Sequence, residues 1–174
     1  MNIKGWWIAS RPKTLVVSIA PVMLGLSLAI HDGLFSNILI GAITLISAIL
    51  IQIGTNFIND LYDFISGADN QNRLGPIRAV QSGLLTKKQI KLGAFICFGL
   101  ALLIGINLVF IGGLPILLIG SFAIISGYCY TAGPYPLGYN GLGDIFVFIF
   151  FGLIAIPGTY YLQTNILFDI DSII

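Results

Sequence analysis

Charge is what this sequence has least of. Only 9% of its 174 residues are Asp, Glu, Lys or Arg, against about 25% in soluble domains, and so few ionisable groups cannot coat a globular surface facing water. A soluble enzyme is excluded on that ground. Eight Lys and Arg against seven Asp and Glu leave a formal net charge of +1, which excludes both the strongly basic face of a nucleic-acid binder and an acidic disordered tail. Cysteine is scarce too: Cys97 and Cys129 stand far apart inside apolar runs, so neither a disulfide framework nor a zinc-type cluster is indicated.

What is abundant is apolar sequence, 57% of the chain with a further 21 glycines. A helix crossing the hydrocarbon core needs about 20 mostly apolar residues. Runs near that length fall at Thr14–Ile30, Ile38–Phe57, Leu92–Ile111, Leu114–Tyr130 and Ile145–Leu162, and lipid offers no partner for an unpaired backbone group, so all are predicted helical. The expected fold class is an all-α, polytopic transmembrane bundle of five spans over residues 1–174. Pro21 and Pro157 fall inside spans and are expected to kink them. The basic N-terminus before an apolar run has the outline of a signal peptide, but the first run is longer than a signal core and Ala29-Ile30-His31 makes a poor cleavage site.

Lys and Arg near span ends stay on the cytoplasmic side. Lys4, Arg11 and Lys13 precede the first span, and Arg73, Arg78, Lys87, Lys88 and Lys91 lie between the second and third, so all of them fall on one side. A multi-pass protein of the cell (inner) membrane with a cytoplasmic N-terminus is predicted. The connection 64–91 is then cytoplasmic, as is Gly133–Gly143, which has no basic residue of its own to mark it. His31, Asp32 and the acidic C-terminal end fall outside, where His31 reads as an ordinary interfacial residue.

The 64–91 connection is far longer than a helical hairpin requires, and long loops in compact domains are often functional. Just before it, Gln52, Asn56, Asn59, Asp60 and Asp63 fall within an arc of about 100° on one helix. Polar groups there are costly unless they face a cavity, a partner helix or an ion. Interhelical hydrogen bonding accounts for Gln52 and Asn56 well enough. Asp60, Asp63 and Asp69 are harder to explain so, because no Lys or Arg lies between them and their mutual repulsion calls for an external cation. Carboxylate and amide oxygens without His or thiolate suit a hard ion, Mg²⁺ or Ca²⁺, and Mg²⁺ commonly pairs one or two carboxylates with substrate phosphates. Arg73 and Arg78, on either side of Leu74-Gly75-Pro76, can grip phosphate oxygens bidentately. Lys87, Lys88 and Lys91 are accounted for by topology alone, and Thr86 with Gln89 forms a helix capping box. Tyr128, Tyr130, Tyr135 and Tyr139 offer π faces to a cation, although tyrosine gathers at membrane interfaces whatever the function.

At these residues the sequence resembles the intramembrane UbiA-type aromatic prenyltransferases. Asn59, Asp63 and Asp69 follow that family's first aspartate-rich motif, thickened by Asn56 and Asp60, and the stretches GADNQNRLGPIRAVQSG, YTAGPYPLGYNGLGDIFVFIFFG and GTYYLQ are most similar to its menaquinone-pathway branch. The resemblance implies that Asn59, Asp60, Asp63 and Asp69 hold Mg²⁺ against a polyprenyl diphosphate, with Asp60, Asp63 and Asp69 counted as catalytic. It implies that Arg73 and Arg78 position the phosphates and that 1,4-dihydroxy-2-naphthoate is the acceptor, prenylated with loss of its carboxylate; Asn56, Asn59, Tyr130 and Tyr139 are further candidate substrate contacts. Members have about nine spans and a second aspartate-rich motif in the later half, so residues 1–174 are expected to be an N-terminal portion that alone binds Mg²⁺ and diphosphate weakly or not at all. Asp169 and Asp171, on the outer side, do not match that second motif. Two other readings stand beside this one: a cation-coupled transporter or channel subunit, since intramembrane carboxylates often mark ion paths, and a prenyltransferase with another aromatic acceptor.

Overall fold

A proline near the start divides the first helical stretch in two. The computed structural model describes residues 2–69 and 75–166, and α1 (Ile3–Ser10) ends where Arg11 takes a left-handed conformation, φ 48° and ψ 67°. A residue before proline is disfavoured in the right-handed helical region, and Pro12 is well placed as the first residue of the next helix, so the break falls between them. Helix α2 (Pro12–His31) is the first span. Helix α3 (Ile38–Ile65) begins at Asn37, whose side chain accepts from the Leu39 N–H at 2.8 Å. It continues eight residues past the predicted end of the second span, carrying the polar stripe with it.

The third and fourth predicted spans form one continuous stretch, α4 (Lys87–Cys129), opened by the Thr86 and Gln89 capping box. Forty-three helical residues in line would reach about 65 Å, twice the hydrocarbon core. Gly113, at φ 64° and ψ −149°, breaks that line in a region of backbone space essentially confined to glycine. The chain doubles back there: Phe98 lies on Gly54 and Tyr128 on Tyr62, both of α3, although they flank Gly113 from opposite sides. The last described helix, α5 (Gly143–Thr164), is the fifth predicted span and contains a π-helical stretch at Phe148–Ile154. Pro157 follows that stretch; lacking an N–H, and with its ring set against the carbonyl four residues earlier, it disfavours a regular α-helical turn there. The connecting loop begins at Ser66 and ends at Thr86, narrower at both ends than the predicted 64–91. Every described residue with regular structure is helical, as the composition implied.

The basic residues that begin α1, α2 and α4 share one end of the bundle with the 130–142 connection, since Thr131 reaches Asn59 and Tyr139 reaches Asp63. At the opposite end Tyr160 donates to Asp32, while Gln163 accepts from the Ser36 and Asn37 N–H groups. The predicted C-terminal acids, Asp169 and Asp171, lie outside the described residues. Apolar side chains such as Phe110, Leu114 and Phe148 remain well exposed, which suits hydrocarbon rather than water. The larger buried core sits at the basic end, where Ile58, Leu61, Ala79, Val80, Leu85 and Ile90 pack together. Water can drive apolar burial at that end, whereas between helices in lipid it cannot.

Within the bundle, close backbone approach replaces large side chains. A Cβ on Gly25 would lie 2.6 Å from the Ile156 carbonyl oxygen and 2.8 Å from Thr159 Cβ, so α2 and α5 touch through the missing side chain. Gly99 has open space at the same position. Gly25→Ala is therefore expected to cost about 1–3 kcal/mol, the usual range for overpacking, and to lower the thermal midpoint in detergent. Gly99→Ala should leave it unchanged, and equal effects of the two would contradict this packing.

Candidate active site at the basic end

The polar stripe divides its work along α3. Asn56, deepest of the buried group, donates to the Ser10 carbonyl at 2.9 Å and to Thr14 Oγ1 at 3.0 Å. It ties α3 to the joint between α1 and α2. Asn59 accepts from Thr131 Oγ1 at 2.8 Å and so holds the start of the 130–142 connection. Asp60, 1% exposed, accepts from the Ala79 N–H at 2.9 Å and the Val80 N–H at 3.1 Å, one on each carboxylate oxygen.

Asp63 lies one turn further on and faces the loop. Arg78 Nη2 stands 3.1 Å from Asp63 Oδ2 and its Nε stands 3.0 Å from Asp69 Oδ2, so one guanidinium bridges the two carboxylates. All three side chains are largely buried, with 12% or less of each exposed. The bend that brings Asp69 back is closed by its own N–H, which donates to the Asp63 carbonyl at 3.0 Å. The remaining Asp63 oxygen accepts from Tyr139 Oη, which also meets Ser66 Oγ at 3.1 Å. Burial first, and then the bond to Asp63, push the Tyr139 phenol up to about 12. Tyr139 therefore stays a donor throughout the neutral range.

The four residues expected to share a metal do not meet at one point. Asn59 and Asp60 are turned to Thr131 and to the loop backbone, while Asp63 and Asp69 face each other across Arg78. Among the described residues no three His, Cys, Asp or Glu side chains converge. A pair of carboxylates, without His or thiolate, still fits a hard ion that completes its shell with phosphate and water oxygens. Arg73 lies outside the described residues.

A cavity of about 500 Å³ runs between α2, α3, both limbs of α4 and α5. Its walls are mainly aliphatic and aromatic, with Ile106, Val109, Phe146 and Phe150 among them, and at its polar end stand Arg11, Asn56, Asn59 and Tyr130. Tyr130 is held there by close glycines, since a Cβ on Gly143 would fall 2.7 Å from its hydroxyl. Tyr135 is 60% exposed, and Asn140 donates to the Pro136 carbonyl within its own turn.

Arg11 is the residue that sequence reasoning missed. Counted there only as a topology determinant, it lines the cavity and acts electrostatically on Asp60. The Arg-Pro dipeptide was the available sign, because the helix break it causes turns Arg11 away from an ordinary solvent-facing position.

These features define a class: a polytopic helical membrane protein in which a buried acid and arginine cluster stands beside the polar end of an apolar cavity. The chain belongs to the UbiA prenyltransferase family, whose pattern it matches over residues 18–174. It is similar to 1,4-dihydroxy-2-naphthoate octaprenyltransferase of Haemophilus influenzae, 39% identical over 98% of this chain and 57% of the relative. The protein of the same name in Escherichia coli is 38% identical over 94% and 55%. A 2-carboxy-1,4-naphthoquinone phytyltransferase of Synechocystis is 29% identical over 93% and 52%. The chain thus spans about half the length of the curated relatives it matches. No solved structure matches it significantly.

Tyr139→Phe removes a hydrogen bond to a carboxylate, an interaction worth about 1.5–3 kcal/mol. The variant is expected to lose folding stability of that order, read as a lower thermal midpoint in detergent. The raised phenol pKa stabilises the protonated folded form, a contribution present below the unfolded value of about 10 and lost as pH rises through about 12. The loss on substitution should therefore be constant from pH 6 to 9, and a loss confined to the alkaline limb of that range would contradict the assignment.

Proposed function

We propose that this chain carries the diphosphate-binding part of an enzyme that transfers a polyprenyl group from its diphosphate to 1,4-dihydroxy-2-naphthoate in menaquinone biosynthesis. The observation that carries this reading is the buried bridge of Asp63, Arg78 and Asp69, which starts one helical turn beyond Asn59 at the polar end of an apolar cavity. Such an arrangement suits a substrate with a charged head and a long hydrocarbon tail. Family membership and the names of the similar proteins support the same substrate pair.

Asp63 and Asp69 are the residues that would hold Mg²⁺, and the metal would supply positive charge to the departing diphosphate. Arg78, released from between the carboxylates, would donate two parallel N–H groups to phosphate oxygens. Arg11 adds a second guanidinium at the cavity's polar end. The apolar walls keep water from the allylic carbon while its bond to diphosphate oxygen breaks and the electron pair leaves with oxygen. Tyr130, Phe146 and Phe150 offer π faces to the cationic carbon. The ring carbon bearing the carboxylate then forms the new C–C bond, and loss of carbon dioxide returns an electron pair to the ring. By the positive-inside rule the basic end faces the cytoplasm, where the soluble acceptor and the diphosphate head are accessible.

The test is prenyl transfer in liposomes, with dihydroxynaphthoate, a polyprenyl diphosphate and Mg²⁺, on this chain and on any longer product of the same reading frame. Transfer by the longer product without ion flux is the expected result, with little or none by residues 1–174 alone. Cation flux without transfer would overturn the proposal in favour of a transporter.

A further inference from the structure

The sequence offers Asp60 as one more acid of the aspartate cluster, yet its surroundings differ from those of Asp63 and Asp69. Its two oxygens are occupied by consecutive backbone N–H groups, Ala79 at 2.9 Å and Val80 at 3.1 Å. A carboxylate that accepts two amide hydrogen bonds while 1% exposed is held in one orientation. The residue immediately before that amide pair is Arg78, whose guanidinium spans Asp63 and Asp69. The backbone just beyond is pinned a second way, because Ala79 is 0%, Val80 6% and Leu85 2% exposed in the apolar core.

From this geometry we infer that Asp60 is a positioning residue: it fixes the backbone from which Arg78 reaches the two carboxylates, and so acts on the diphosphate only through that arginine. The inference rests on the diphosphate reading of the site. Without the Asp60 clamp the segment would keep its apolar packing and the turn bonds of its carbonyls, from the Ser82 N–H to Arg78 at 3.0 Å and from the Leu85 N–H to Ala79 at 3.1 Å, but nothing in either would tie the Ala79 and Val80 N–H groups to α3, the helix that carries Asp63. Asp60, Asp63 and Arg78 therefore divide one task. Asp60 holds the main chain, Asp63 with Asp69 supplies the anionic pair, and Arg78 is the movable cation.

The test joins amide exchange with kinetics, both on the chain in lipid nanodiscs, the kinetics also on any longer product of the frame. In Asp60→Asn one accepting oxygen becomes a donor facing an N–H. Exchange at Ala79 and Val80 should accelerate at least tenfold, while in Arg78→Ala, which leaves Asp60 intact, it should stay within twofold of wild type. The second variant keeps the test decisive where Asp60→Asn does not fold. In prenyl transfer, Asp60→Asn should raise the KM for polyprenyl diphosphate about tenfold, leave the Mg²⁺ concentration for half-activation unchanged, and add nothing to the defect of Arg78→Ala in the double variant. Unchanged exchange in Asp60→Asn, or exchange freed equally by Arg78→Ala, would overturn the clamp. A shifted Mg²⁺ requirement with additive defects would overturn it in favour of a metal ligand. A wild-type protein silent in transfer would instead count against the diphosphate reading, and the exchange arm would still decide the clamp.

Discussion

Two carboxylates brought together in a largely buried site repel each other unless a cation lies between them, and the basic end of this protein is arranged around that constraint. Asp63 and Asp69 are brought together by the end of α3 and a tight bend, and the guanidinium of Arg78 lies across them at 3.1 and 3.0 Å. That guanidinium needs a fixed backbone, which Asp60 and the apolar packing of Val80 and Leu85 provide. Tyr139 comes from the 130–142 connection to satisfy the remaining Asp63 oxygen, and Thr131 ties the same connection to Asn59. The loop, the connection and α3 thus form one hydrogen-bonded unit.

The rest of the bundle follows a different physical rule. In hydrocarbon the helices gain little from burying one another's apolar surface, so they meet at glycines such as Gly25 and Gly54 and leave space elsewhere. The resulting cavity is apolar along its length and polar at one end. The acid and arginine cluster and the apolar cavity thus adjoin along α3.

The helical membrane fold was legible because lipid leaves so few options: run length, the capping box at Thr86 and the clustering of Lys and Arg all found their counterparts in the structure. Less legible was where a helix ends when the membrane does not end it. Helix α3 continues past Phe57 because its polar stripe is satisfied by protein groups, and the third and fourth spans are divided at a single glycine whose φ and ψ are not written in a hydropathy pattern. The acids of the cluster were visible as a group, since their spacing calls for a cation, but the cation expected from outside is in the structure the chain's own Arg78. Their separate surroundings were not visible, because Asp60 is distinguished by amides of Ala79 and Val80, about twenty residues away along the chain. Arg11 was overlooked for a related reason, as its place beside the cavity depends on the break before Pro12 and not on its neighbours' polarity.

On the proposed reading Asp63 and Asp69 would hold a divalent ion, and the Arg78 guanidinium that joins them would turn to the diphosphate. The most direct measurement is Mg²⁺-dependent prenyl transfer by Asp63→Asn and Asp69→Asn, made in the longest active product of the reading frame with folding checked by thermal unfolding. Each variant is expected to lose at least about 100-fold in activity, a loss of roughly 2.7 kcal/mol in transition-state stabilisation, and to need more Mg²⁺ for what remains. Folded variants with transfer and Mg²⁺ requirement unchanged would contradict the account.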